Sequence, residues 1–105
     1  MNLADLFKQA KDVQAKAQAM QEQLGAIEVE GAAGAGLVRL TLSGKSDLRK
    51  VAIDPSLLKP ESAQMIEDLL AAAHADAKTK LERRVAEEMG KLAQDMGLPA
   101  GMLPS

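Results

Sequence analysis

The chain has no cysteine, no tryptophan and no tyrosine, and one phenylalanine, Phe7, among its 105 residues. Without cysteine, disulfides and thiolate metal sites are excluded, and the usage fits a reducing cytosol. Aromatic side chains bring the largest buried area per residue. A core built here must come from Leu, Ile, Val, Met and Ala, which suits helix packing better than an enzyme pocket. No apolar run approaches the ~20 residues of a membrane span. The N-terminus lacks the basic segment and apolar stretch of a secretory signal. A soluble cytoplasmic protein of one domain is expected.

An excess of positive charge is also missing. Thirteen basic and fifteen acidic residues leave a net charge of −2, whereas a nucleic-acid binder usually carries a basic balance or face. The charges are nearly even along the chain. Residues 1–25 hold three lysines and three acids, residues 26–54 four of each sign, and residues 55–105 six basic and eight acidic groups. The one local excess is in residues 78–84, with four basic residues and one acid.

What the chain does have is pattern. Leu3, Leu6, Ala10, Val13, Ala17, Met20 and Leu24 recur every three and four residues, a heptad seam. Asn2 is placed as its N-cap and Gly25 as its stop. A helix over 3–24, about 33 Å long, needs another surface to pack on, and the small Ala10 and Ala17 suggest a close neighbour. Ile27 and Val29 then alternate with Glu28 and Glu30, and Val38, Leu40 and Leu42 with Arg39, Thr41 and Ser43. Val51 and Ile53 close a third short strand. Glycines 31, 34 and 36 mark one turn and residues 44–47 another, so three antiparallel strands in a meander are predicted. Asp54-Pro55 opens a short helical turn and Pro60 a long helix with Glu61 in its first turn. Its stripe is Ile66, Leu70, Ala73, Ala77, Leu81, Val85, Met89, Leu92 and Met96. Gly90 is a possible weak point, and Gly97 with Pro99 is the stop. The expected layout is one α+β domain: a helix in 1–25, a three-stranded sheet in 26–54, a helical segment in 55–97 and a flexible tail in 98–105. So small a sheet does not bury two long helices, and a second copy of the chain is the expected cover.

Catalytic and cofactor chemistry finds no footing. The glycines 31, 34 and 36 lead into a strand, whereas a phosphate cradle leads into a helix N-terminus. His74 is the only histidine; it has no thiol, serine or carboxylate constellation and is expected as a partly packed helix residue. Glu67, Asp68 and Asp76 do not share one helix face and are read as solvated surface rather than metal ligands. No enzyme, cofactor, metal or small-molecule substrate is expected. The lone Phe7 is no platform for stacking bases. Lys8, Lys11 and Lys16 on the first helix and Lys78, Lys80, Arg83 and Arg84 on the second are either ordinary solubilising charge, laced with Asp12, Glu82 and Glu87, or phosphate contacts. Doubled in a symmetric dimer, seven cations become fourteen, and contacts of that kind give affinity without reading sequence. Arg39, Arg49 and Lys50 on the sheet are second-rank candidates.

The run Gly34-Ala-Gly-Leu-Val38, the box Ile53-Asp-Pro-Ser-Leu-Leu58 and the segment Glu67-Asp-Leu-Leu-Ala-Ala-Ala73, in this order and spacing, resemble the YbaB/EbfC family of bacterial nucleoid-associated proteins. The Gln- and Met-containing first helix and Leu98-Pro-Ala-Gly101 are similar too. The resemblance implies an α-β-β-β-α chain in a tight homodimer, with strands joined at the centre and helices projecting like the arms of tweezers. It implies binding of double-stranded DNA with little sequence preference, a change in DNA shape, and a place on the nucleoid in the cytoplasm. It carries no catalytic residue and no base-reading motif, so the DNA-contact residues named above rest on charge and helix placement. The alternative reading is a dimeric helical protein-interaction module without DNA binding, which the heptad seam supports equally well.

Overall fold

The computed structural model describes residues 2–95 and 97. The chain runs α1 (Leu3–Ala26), β1 (Glu28–Ala33), β2 (Val38–Ser43), β3 (Leu48–Ile53), 3-10 turns at Pro55–Leu57 and Pro60–Ser62, and α2 (Ala63–Asp95). This is the expected α-β-β-β-α order. The tail expected in 98–105 and the stripe residue Met96 lie outside the described residues.

The three strands form one antiparallel sheet in the order β1-β2-β3. Gly34 (φ +65°) and Gly36 (φ +90°) turn the chain between β1 and β2, in a backbone region that glycine enters without Cβ strain. Gly31 is not part of that turn. It lies inside β1, opposite Leu40, and α2 runs directly over it. A Cβ on Gly31 would overlap the Ala73 carbonyl oxygen and stand 2.6 Å from the Ala77 methyl. Ala73 and Ala77 are themselves fully buried. Three small residues thus let helix and strand backbones approach.

Around that contact lies the core. Val38, Leu40 and Leu42 project from β2 on to Ala73, Ala77, Leu81 and Leu57, with Val29, Ala33, Ile66, Leu70 and Val85 around them. The helix covers β1 and β2 but not β3. Val51 pairs with Leu40 on the core side of the sheet, yet stays 42% exposed, and Leu48 57%. The expected regular third strand is broken at its start: Lys50 pairs with Thr41 and Leu48 with Leu42, so Arg49 is an extra, bulged residue.

Helix α1 stands away from this core. Asn2 caps it, its Oδ1 accepting from the Asp5 amide at 2.9 Å. The expected stop at Gly25 gives way to one more residue, Ala26, because Ile27 turns extended and returns its amide to the Gln23 and Leu24 carbonyls. Ile27, expected to open the first strand, is this cap. The C-terminal end of α1 is docked where Gly44 touches the Leu24 carbonyl and where Arg49 Nη2 donates to the Gly25 carbonyl at 3.4 Å, a cation placed against a helix C-terminus. No residue of α1 is buried.

Asp54 caps its turn through the Ser56 amide at 2.9 Å. Pro60 begins a 3-10 turn rather than α2 itself, which becomes regular at Ala63. Gly90 does not interrupt α2. Past the helix end, Gly97 adopts φ +72° and its amide bonds the Gln94 carbonyl at 3.0 Å, a left-handed stop. Among the described residues no helix is long and apolar enough to cross a membrane.

Two glycine substitutions test this packing with opposite signs. Gly31→Ala forces α2 off the sheet and lowers unfolding free energy by about 1–3 kcal/mol, the usual range for overpacking. Gly90→Ala meets open space and raises it by about 0.5–1 kcal/mol, through helix propensity. Urea denaturation followed by circular dichroism reads both.

Candidate nucleic-acid interface

Helix α1 is two-sided. Leu3 is 67%, Leu6 49% and Val13 66% exposed, so its apolar seam is bare from Leu3 to Ala17 and half-buried at Met20 and Leu24. At ~100° per residue, Lys8, Lys11 and Lys16 fall within an arc of about 140° on the side opposite that seam. Asp5, Asp12 and Glu22 share this polar side, so it carries equal numbers of both signs. None of the three lysines has a carboxylate within ion-pair distance among the described residues.

The basic cluster of α2 separates. Lys80 is bound to the sheet: its Nζ lies 3.0 Å from Asp76 Oδ2 and donates to the Glu30 carbonyl at 3.2 Å. Arg84 pairs with Glu88 at 3.3 Å, and Lys91 approaches the same carboxylate at 3.6 Å. Arg83 and Lys78 are exposed and unpaired among the described residues, but lie about 140° apart round the helix at ~100° per residue. At ~100° per residue, Lys80, Arg83 and Arg84 fall within an arc of about 100° and Lys78 lies apart from them. Lys80 and Arg84 serve intramolecular contacts.

On the sheet, Arg39 and Lys50 stand on the face away from α2, beside Glu28, Glu30 and Thr41. Arg49 is occupied at the end of α1. His74, expected to be partly packed, is exposed, since α2 meets the sheet along Ala73, Ala77 and Leu81 and His74 is one position off that line. Among the described residues no group of three or more His, Cys, Asp or Glu side chains is arranged to hold a metal ion.

Asp76, expected as solvated surface, is a structural side chain that ties α2 to β1. Its Oδ2 accepts the Ala32 amide at 3.0 Å as well as Lys80. The i, i+4 spacing of Asp76 and Lys80 was a visible helix pair; the strand beneath it was not.

A profile of the YbaB/EbfC DNA-binding family matches residues 1–96. A nucleoid-associated protein of Granulibacter bethesdensis is 54% identical over 101 residues, covering 96% of this chain and 94% of that one. Another, of Gluconacetobacter diazotrophicus, is 48% identical over 101 residues with the same coverage. Among solved structures, an uncharacterized protein of Helicobacter pylori superposes with a TM-score of 0.65 at 24% identity, covering 91% of this chain and 97% of that one. At that identity the likeness concerns the fold alone.

The Asp76 contacts give a pH test. The Ala32 amide, first, and Lys80, second, hold its carboxyl below the ordinary 3.8. A depressed folded pKa adds stability that is present above the unfolded value and lost as pH falls through the folded one. Asp76→Asn is therefore less stable than the parent at neutral pH, and the gap narrows as pH drops below 3.8. Denaturation midpoints of both proteins across that range check it.

Proposed function

The chain belongs to the YbaB/EbfC DNA-binding family, and from that premise we propose that it works as a homodimer that binds double-stranded DNA through the phosphate backbone, with little sequence preference, and alters the path of the duplex. The observation that carries this reading is α1, exposed at Leu3, Leu6 and Val13 on its apolar side and carrying on the other lysines with no ion-pair partner among the described residues. A second copy covering Leu3, Leu6 and Val13 leaves Lys8, Lys11 and Lys16 outward. Further apolar surface awaits the same cover: Val51 and Leu48 on β3, and the groove where Leu81, Val85 and Met89 face Gly44 and Ser46.

On this reading Lys8, Lys11, Lys16, Lys78 and Arg83 are the leading phosphate contacts. Lys80 and Arg84 come second, because a phosphate must first displace Asp76 or Glu88. Arg39 and Lys50 remain second-rank, and Arg49 is held by the Gly25 carbonyl. Contacts of this kind act by releasing condensed counterions and carry no base information. Any bend comes from the fixed separation of the cationic arms. The protein works on the nucleoid in the cytoplasm, needs no cofactor and catalyses no reaction.

Titration of labelled duplexes at several salt concentrations tests the proposal. Affinity falls steeply with salt and changes little with sequence. Each phosphate contact contributes about 0.9 to the slope of log K against log salt. Lys11→Glu or Arg83→Glu therefore flattens the slope by about 0.9 where one protomer touches DNA at that position, and by twice that where both do. A salt-independent affinity refutes the phosphate-backbone mechanism; no affinity in a well-folded dimer refutes DNA binding and leaves the protein-interaction module.

A further inference from the structure

One edge of the sheet is closed by side chains and the other is not. In an antiparallel strand, each residue turns both backbone groups to the same side, and successive residues alternate. The Ile27 carbonyl accepts the Gly44 amide at 3.0 Å, so odd-numbered residues of β1 bond to β2, and Glu28, Glu30 and Ala32 face the free edge. There they meet α2. The Ala32 amide donates to Asp76 at 3.0 Å, the Glu30 carbonyl accepts from Lys80 at 3.2 Å, and the two side chains hold each other at 3.0 Å. One turn on, Arg84 and Glu88 line the hollow beside Glu28. The spacing matches: four helix residues rise about 6 Å and two strand residues about 6.6 Å, so a row at i, i+4, i+8 tracks every second residue of the strand. The tight contact at Gly31 keeps α2 low enough for these side chains to reach.

β3 differs. The Asp54 amide bonds the Leu37 carbonyl at 2.8 Å, so Val51 and Ile53 face the other free edge. Among the described residues no side chain bonds their backbone groups.

We propose that the Asp76–Lys80 pair is an assembly stop: it occupies the β1 edge, which otherwise takes the β1 strand of a second copy, and so confines strand-edge self-association to β3. An unpaired edge is a template for another chain, and proteins blunt such edges with charged side chains. β1 suits the forbidden pairing, since a two-fold antiparallel arrangement centred on Gly31 sets Glu30 against Ala32 and keeps like charges apart. The stop rests on the reading above that the chain pairs with itself. It makes that pairing a closed dimer rather than an open-ended array joined alternately through β3 and β1.

The test is light scattering of the full chain without DNA over a range of concentrations. Parent protein is compared with Asp76→Ala/Lys80→Ala and with the same double variant carrying Ala32→Pro. Proline at 32 removes an outward amide and no bond to β2. The parent keeps one mass. The double variant rises about twofold or more with concentration, as an opened edge requires, and Ala32→Pro abolishes the rise. A folded double variant that keeps the parent mass overturns the stop, as does growth that survives Ala32→Pro. Should the double variant lose its helical circular dichroism, Lys80→Met, which frees only the Glu30 carbonyl, replaces it; it must show a smaller rise, and a constant mass overturns the stop. A monomeric parent refutes the dimer, whereas the comparison among variants still decides the stop.

Discussion

The whole arrangement depends on how closely α2 approaches β1. Gly31 has no side chain, Ala73 and Ala77 have the smallest, and the helix backbone settles on the strand backbone. A helix held this low is centred over β1 and β2, and two consequences follow. Its flank overhangs the β1 edge, where Asp76 and Lys80 find backbone partners that a higher helix does not reach. Its other flank falls short of β3, and Val51 stays half open to water. One steric fact thus closes one side of the sheet and leaves the other unfinished.

The same geometry sorts the charges. Lys80 and Arg84 belong to the row that follows β1 and are occupied by Asp76, Glu30 and Glu88. Cations available to a polyanion lie elsewhere, mainly on the outer side of α1, which touches the sheet only at its C-terminal end. A net charge of −2 is compatible with phosphate binding when the unpaired cations are gathered on projecting arms, because exposed charges further away than about 8–10 Å are screened at physiological salt.

Much of the fold was legible from local rules. The heptad spacing from Leu3 to Leu24, the Asn2 cap, the alternation along β2, the turn at Gly34 and Gly36 and the Asp54-Pro55 start each depend on neighbours a few residues away, and each is in place. What was not legible depends on distant partners. Gly31 looks like a turn glycine because its neighbours 34 and 36 are; only Ala73 and Ala77 of the distant helix make it a packing glycine. The bulge at Arg49 is set by pairing with β2. Lys80 and Arg83 look alike in a basic heptapeptide, and it takes β1 to set Lys80 apart as a strand clamp. The candidate interface was readable as composition, not as arrangement.

A seam of leucines and valine left in water on a 24-residue helix has little reason to stay helical by itself, since most helical stability comes from packing an apolar face. The central claim is that a second copy provides that packing. Amide hydrogen exchange along α1, measured at descending protein concentration, tests it most directly. The account predicts protection from Leu3 to Leu24 that holds at high concentration and is lost on dilution, while β2 stays protected throughout. Protection of α1 that is absent at every concentration, or that does not depend on concentration down to the limit of detection, contradicts it.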